Sequence, residues 1–202
     1  MMIDPHQFFS PADGTIMYQK IVDSNKDILT VKGQDYTLSD IMEREFKEKC
    51  LVIGIFMTSL DVHVNRIPYA GMLKFKYLTP IISTNKPMDN TEEDILSKKL
   101  AKAYQDMGIY LKYNARMVNE IYAANLDYRY YVTQIADAEV NVITHFTTEQ
   151  NQWFHQNERF SFVRWGSQVE LVLPLDRRYK FETIQPNYYH VEGGIDPLVR
   201  IV

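Results

Sequence analysis

Internal disulfides are excluded, because the 202 residues contain one cysteine, Cys50. A lone thiol beside an apolar run reads as a buried core residue in a reducing compartment. Long apolar runs are also missing. The longest, Leu51–Met57, is far too short to cross a bilayer, and the start of the chain, Met1 to His6, lacks the basic-then-apolar order of a targeting signal. There is no run of Lys or Arg, and with a net charge of −4 and a pI near 5.7 no nucleic-acid partner held through phosphates is expected. His145, His155 and His190 are scattered without metal-ligand spacing, so each reads as structural or solvated, and no metal is expected. Glycine and proline are sparse, at 8 each, against 14 Tyr and 10 Phe, which excludes low complexity and leaves material for a core. The expectation is one domain over residues 1–202, in the cytoplasm and at most peripheral on the cytoplasmic membrane.

The patterning that is present is mostly of strand type. Thr15–Val22 and Ile28–Val31 flank the polar turn Ser24–Asp27 and predict a hairpin over 15–32, with a further turn at Gly33-Gln34-Asp35. Leu38, Ile41, Met42, Glu45 and Phe46 predict a short helix over 38–48. Leu51–Met57 is a continuous apolar run, as expected of a central strand buried on both faces. Another strand follows at Met72–Leu78. Leu96, Leu100, Ala103 and Met107 share one helical face, and Asn90 with Glu93 resembles a capping box, which predicts a helix over 91–107. Strands are expected at Met117–Tyr122, Tyr128–Ile135 and Val140–Phe146, a loop at 147–158, two strands within 159–173, and short strands at Phe181–Ile184 and Tyr188–Val191 before a turn at Gly193-Gly194. Strands without regular βαβ alternation argue for an α+β fold with mainly antiparallel pairing.

Two stretches concentrate chemistry. Ser59-Leu-Asp-Val-His-Val-Asn-Arg66 places ionisable and amide groups directly after the buried strand, where sites are often built. Gly166-Ser167 sits between Phe160–Val163 and Val169–Leu173. A Gly-Ser pair alone is most often a turn. Between two strands, a backbone kink could instead hold the hydroxyl against the preceding carbonyl.

Four blocks in this order resemble the phosphatidylserine decarboxylase family in its short prokaryotic form. They are Phe9-Ser-Pro-Ala-Asp-Gly14, Met57-Thr-Ser-Leu-Asp-Val-His-Val-Asn-Arg66 with Pro68 and Gly71, Tyr131-Val-Thr-Gln-Ile-Ala136, and Glu158-Arg-Phe-Ser-Phe-Val-Arg-Trp-Gly-Ser-Gln-Val-Glu-Leu-Val-Leu-Pro174. The chain departs from the family at Asn157 and Ser161, which stand where glycines are usual, and at Asp137, which replaces the glycine after Gln-Ile-Ala. The 91–107 helix looks like an insertion. Arg66 stands where the longer bacterial form has a second histidine.

The resemblance implies a β-rich framework akin to biotinyl/lipoyl hybrid (barrel-sandwich) domains with one or two added helices. It also implies a proenzyme that cuts itself between Gly166 and Ser167 into a β chain, 1–166, and an α chain, 167–202. Ser167 then becomes a pyruvoyl group, which decarboxylates phosphatidylserine to phosphatidylethanolamine through a Schiff base. His63 is the implied acid/base group, and Asp13 orients a histidine or assists the cut. Asn65 and Arg66 are candidate contacts to the substrate's carboxylate or phosphate. The implied partners are a phospholipid, a membrane surface and the two chains of one proenzyme, with a homo-oligomer compatible. Two other readings stand beside this one. Only nine residues precede Ser10, where the family commonly has a membrane-associating segment, and this favours a soluble relative acting on a free or modified amino acid. The other is an uncleaved, non-catalytic binding module.

Overall fold

The computed structural model describes residues 3–23, 26–31, 34–81, 85–138, 143–164 and 167–202. Gly166, the turn residues Ser24, Asn25 and Gly33, and the first part of the expected 140–146 strand lie outside the described residues. The strands are β1 (Gln7–Phe9), β2 (Gly14–Val22), β3 (Asp27–Val31), β4 (Gln34–Thr37), β5 (Cys50–Met57), β6 (Val64–Arg66), β7 (Gly71–Leu78), β8 (Arg116–Ala123), β9 (Tyr128–Ala136), β10 (Ile143–His145), β11 (Gln152–Phe154), β12 (Arg159–Val163), β13 (Ser167–Pro174), β14 (Phe181–Thr183), β15 (His190–Val191) and β16 (Pro197–Ile201). The helices are α1 (Leu38–Met42), α2 (Asp89–Leu96), α3 (Leu100–Asp106) and α4 (Ile109–Tyr113).

Among the described residues every ladder is antiparallel, as the α+β expectation requires. Eight strands form the main sheet in the order β11-β7-β8-β9-β13-β5-β2-β15. Two three-stranded sheets, β1-β16-β14 and β10-β12-β6, and the two-stranded β3-β4 complete the body. All eight residues of β5 are buried, which explains the unbroken apolar run. Its alternate side chains serve two cores. Ile53, Ile55 and Met57 join Val169, Leu171 and Leu198 on one face, while Val52 and Phe56 join Val172, Ile41 and Leu111 under the helices on the other.

Several local expectations are corrected. The 15–32 hairpin does not form: β2 pairs with β5 and β15, and β3 pairs with β4. A local turn signal cannot rival a long ladder to the buried strand. The 38–48 helix ends at Met42, where Glu43 turns left-handed at φ 48°. The 91–107 helix is two helices, because Lys98 lies at φ 59° between them, and a third follows at α4. Its capping box is also absent: Met88 is the N-cap, with no side-chain cap bond. The 147–158 loop contains β11, which pairs with the edge of the sheet at β7. Short β1, β6 and β16 carried too few residues to show a period.

Candidate active site

Three strand ends meet at one end of the sheet. β13 begins at Ser167, opposite Met57 at the end of β5 and Ala136 at the end of β9. β2 begins at Gly14, directly after Asp13. A Cβ on Gly14 would lie 2.3 Å from the Phe56 carbonyl oxygen, and its φ of +146° is open chiefly to glycine. Thus the Asp-Gly pair is fixed by close backbone approach, and Asp13 sits at the same sheet end as Ser167. Asp13 Oδ1 accepts the Gly193 N–H at 2.7 Å.

His63 lies in the loop between β5 and β6. Its carbonyl accepts the Val163 N–H at 3.1 Å, which docks the loop on the strand leading into residues 164–167. Nδ1 lies 2.8 Å from the Asp61 carbonyl oxygen. A carbonyl only accepts, so Nδ1 carries the hydrogen and neutral His63 presents a bare lone pair at Nε2. That Nε2 is buried and has no hydrogen-bond partner among the described residues. Asp61 does more than brace this loop. Its Oδ2 accepts from Thr58 N and Oγ1 at 2.7 and 2.8 Å, and its Oδ1 lies 2.6 Å from His190 Nε2.

The four sequence blocks converge on a buried polar knot. Asn65, Gln134, Ser161 and Ser167 are all fully buried. Asn65 Nδ2 donates to the Pro11 carbonyl at 3.3 Å, and Asn65 Oδ1 accepts from Gln134 Nε2 at 2.6 Å. Gln134 Nε2 also reaches Ser161 Oγ at 2.9 Å, so Ser161 brings a hydroxyl that a glycine lacks. Behind Gln134, Asn119 Nδ2 donates to Gln134 Oε1 at 3.1 Å, and His145 Nε2 meets Asn119 Oδ1 at 2.7 Å. Burial pushes the His145 imidazole down to about 4, so it is a neutral donor within the core.

Ser167 is not joined by hydrogen bonds to His63 or Asp13. Its Oγ donates to Met57 Sδ at 3.4 Å. Arg66 Nη1 donates to the Asn157 carbonyl at 2.9 Å, and the Arg66 side chain runs beneath Gly194, where a Cβ would stand 2.5 Å from Cδ. Asn157 lies at φ 66°, the left-handed region that asparagine tolerates after glycine, which accounts for its place at a glycine position.

The opposite face of β13 carries a second polar group. Glu170 Oε1 accepts from Tyr18 Oη at 2.7 Å and from Gln168 Nε2, and Tyr110 Oη reaches Gln168 Oε1 at 3.1 Å. Burial raises the Glu170 carboxyl to about 7, although these two donors pull the other way. Sequence reasoning passed over Glu170 although it lies inside the last family block, since a single acid in an apolar strand has no period to mark it. It also left His190, Met57 and Gln134 without roles. The last two lay inside the family blocks, which was the available signal, while His190 had none.

A buried serine at a strand start, with an imidazole lone pair in the loop docked on the preceding strand, is the equipment of a nucleophile-bearing site. The sequence pattern of the phosphatidylserine decarboxylase family matches residues 1–194, and the chain belongs to that family. The phosphatidylserine decarboxylase proenzyme of Cytophaga hutchinsonii is 28% identical over 177 residues, covering 86% of this chain and 68% of that protein. The Ehrlichia chaffeensis phosphatidylserine decarboxylase proenzyme is 28% identical over 167 residues, 83% of this chain and 57% of its own length. A Methanocaldococcus jannaschii protein, provisionally named an archaetidylserine decarboxylase proenzyme, is 42% identical over 66 residues, 33% of this chain and 31% of that one. The matched stretches thus span between about a third and two thirds of these relatives' lengths. Among the described residues no helix is long and apolar enough to cross a membrane.

Proposed function

We propose that the chain is a self-processing, pyruvoyl-dependent decarboxylase acting on lipids with a phosphoserine headgroup. The observation that carries this reading is Ser167, a fully buried hydroxyl that follows Gly166 and opens a central strand where all four family blocks meet. The residues present fit a serine consumed to make a ketone. No carboxylate or imidazole ties up its hydroxyl, and an imidazole lone pair is available in the adjoining loop.

In the cut, Ser167 Oγ attacks the Gly166 carbonyl carbon, and the C–N bond to residue 167 breaks. His63 Nε2 is the group suited to take the hydroxyl proton and return it to the released amine. The resulting ester loses a Cα proton as its Cβ–O bond breaks, freeing the Gly166 carboxylate. Water then replaces ammonia at residue 167. A pyruvoyl group there supplies a ketone that holds the substrate amine and takes up the electron pair left by CO₂. In turnover His63, in its protonated form, returns a proton to the product. The relatives' names, phosphatidylserine and archaetidylserine, share the phosphoserine headgroup and differ in the tails, so the site chemistry here is assigned to the headgroup. A peripheral position on a membrane surface accompanies a lipid substrate.

The test is a denaturing gel with intact mass. The self-processed protein gives pieces of about 19 and about 4 kDa from a 23.8 kDa chain, and Ser167→Ala stays whole and inactive. Paired assays with phosphatidylserine vesicles and free serine separate the lipid enzyme from a soluble amino-acid enzyme. A whole wild-type chain with residue 167 still serine contradicts the proposal.

A further inference from the structure

The hydroxyl that starts the cut rests on an unusual partner. Ser167 Oγ is fully buried and its hydrogen points to Met57 Sδ at 3.4 Å. A thioether is a weak acceptor and no base at pH 7. Met57 is the cross-strand neighbour of Ser167 and is itself fully buried. A methionine side chain has three rotatable bonds and is ordinarily a poor positioning device. Here the sulfur also receives Asn65 Nδ2 at 3.7 Å. Asn65 is held in turn by a chain of donors pointing one way, from His145 to Asn119, Gln134 and Asn65. Each amide in that chain has its oxygen and nitrogen assigned by its partners, so the sulfur meets a fixed N–H on one side and the serine O–H on the other.

We propose that Met57 is a positioning residue for self-cleavage: its thioether, pinned by the Asn65 amide chain, sets the rotamer of the Ser167 hydroxyl before the proton is removed. This rests on the reading that the chain cuts between Gly166 and Ser167. A nucleophile must be oriented, yet it must also release its proton. A carboxylate acceptor would orient the hydroxyl at the cost of a strong, charge-assisted bond to break. A sulfur orients it and gives it up cheaply to a base. Met57 takes no proton, and the Oγ–C bond formed, the C–N bond broken and the proton delivered to the amine are those of the cut itself. The bland alternative is that Met57 only fills the apolar face it shares with Ile55 and Val169.

The test compares Met57→Leu, which fills the space without an acceptor, with Met57→Gln, which has similar reach and restores one. Full-length chains are made by cell-free translation, and the half-time of the cut is followed on denaturing gels. Melting temperatures are taken in the uncut Ser167→Ala background. The expected result is a half-time lengthened about tenfold or more for Leu, since a buried hydroxyl is left without a partner, and most of the rate recovered by Gln. Equal rates for Leu and wild type overturn the inference, as does a Gln variant as slow as Leu with a normal melting temperature. If Leu fails to fold, the Gln variant alone decides. A wild-type chain that is never cut removes the reading beneath it instead.

Discussion

At the scale of single residues, the site depends on which polar atoms are committed and which are left open. His63 spends Nδ1 on the Asp61 carbonyl and keeps Nε2 for chemistry. His63→Ala is therefore expected to slow the cut by about a hundredfold or more, the usual scale for losing an acid/base group, while melting stays near that of wild type. Pulse-labelled precursor on a gel reads this out, and a cut at the normal rate removes His63 from the mechanism. Glu170 yields a pH prediction. Its carboxyl is raised to about 7 by burial, against an unfolded value near the ordinary 4.5. The native state keeps its proton to higher pH, so this group's contribution is full below pH 4.5 and is lost as pH rises towards and through 7. The loss is about 3 kcal/mol at 1.36 kcal/mol per pH unit. Glu170→Gln, compared with the parent by urea unfolding from pH 4.5 to 8, is expected to abolish that slope. Identical slopes in the two proteins contradict it. His145, lowered to about 4, acts in the opposite sense below pH 6.5, so the comparison must be between variants and not on one curve.

Asp137 shows how a residue-level departure belongs to a structural element. By the resemblance it stands at a glycine position, and the 91–107 stretch, here α2 and α3, looks like an insertion. The structure joins the two facts. Asp137 Oδ1 accepts the N–H of Met88, the N-cap of α2, at 2.9 Å, and the Asp137 carbonyl accepts from Asn85 Nδ2 at 2.8 Å. The helical segment is thus moored to the end of β9 by the Asp137 side chain. Asp137→Ala leaves a buried N–H without a partner and is expected to cost about 1–3 kcal/mol. Faster hydrogen exchange over residues 88–113, in uncut Ser167→Ala protein, checks it. Unchanged exchange there contradicts the mooring. Elements were legible where the chain itself carried the reason. The double-sided burial of β5 was written in seven consecutive apolar residues, and β8, β9 and β13 lie within about a residue or two of where their patterns put them. The partner of β2 was not legible, because pairing with β5 is decided by a strand some thirty residues away. The break at Lys98 was hidden too, since the apolar spacing runs through it unchanged while the backbone turns left-handed.

For the whole molecule, the main consequence is how the two pieces would stay together after the cut. β13 lies between β9 and β5, paired along its whole length with β5 and over Ser167–Val172 with β9, β15 pairs with β2, and β16 pairs with β1. Asp13 and Asp61, in the first piece, bind Gly193 and His190 in the second. Residues 167–202 are woven through the sheet, so a broken bond before Ser167 leaves one folded body. The candidate site was readable as four blocks, since each block is short and contiguous. The residues behind it were not readable: Asn119 and His145 reach Gln134 only across the sheet. The measurement that bears most directly on the central claim is the intact mass of the purified wild-type protein. In native buffer one species is expected, and under denaturing conditions two chains, one ending at Gly166 and the other beginning with a pyruvoyl group at residue 167. A single 23.8 kDa chain that retains serine at position 167 would contradict it.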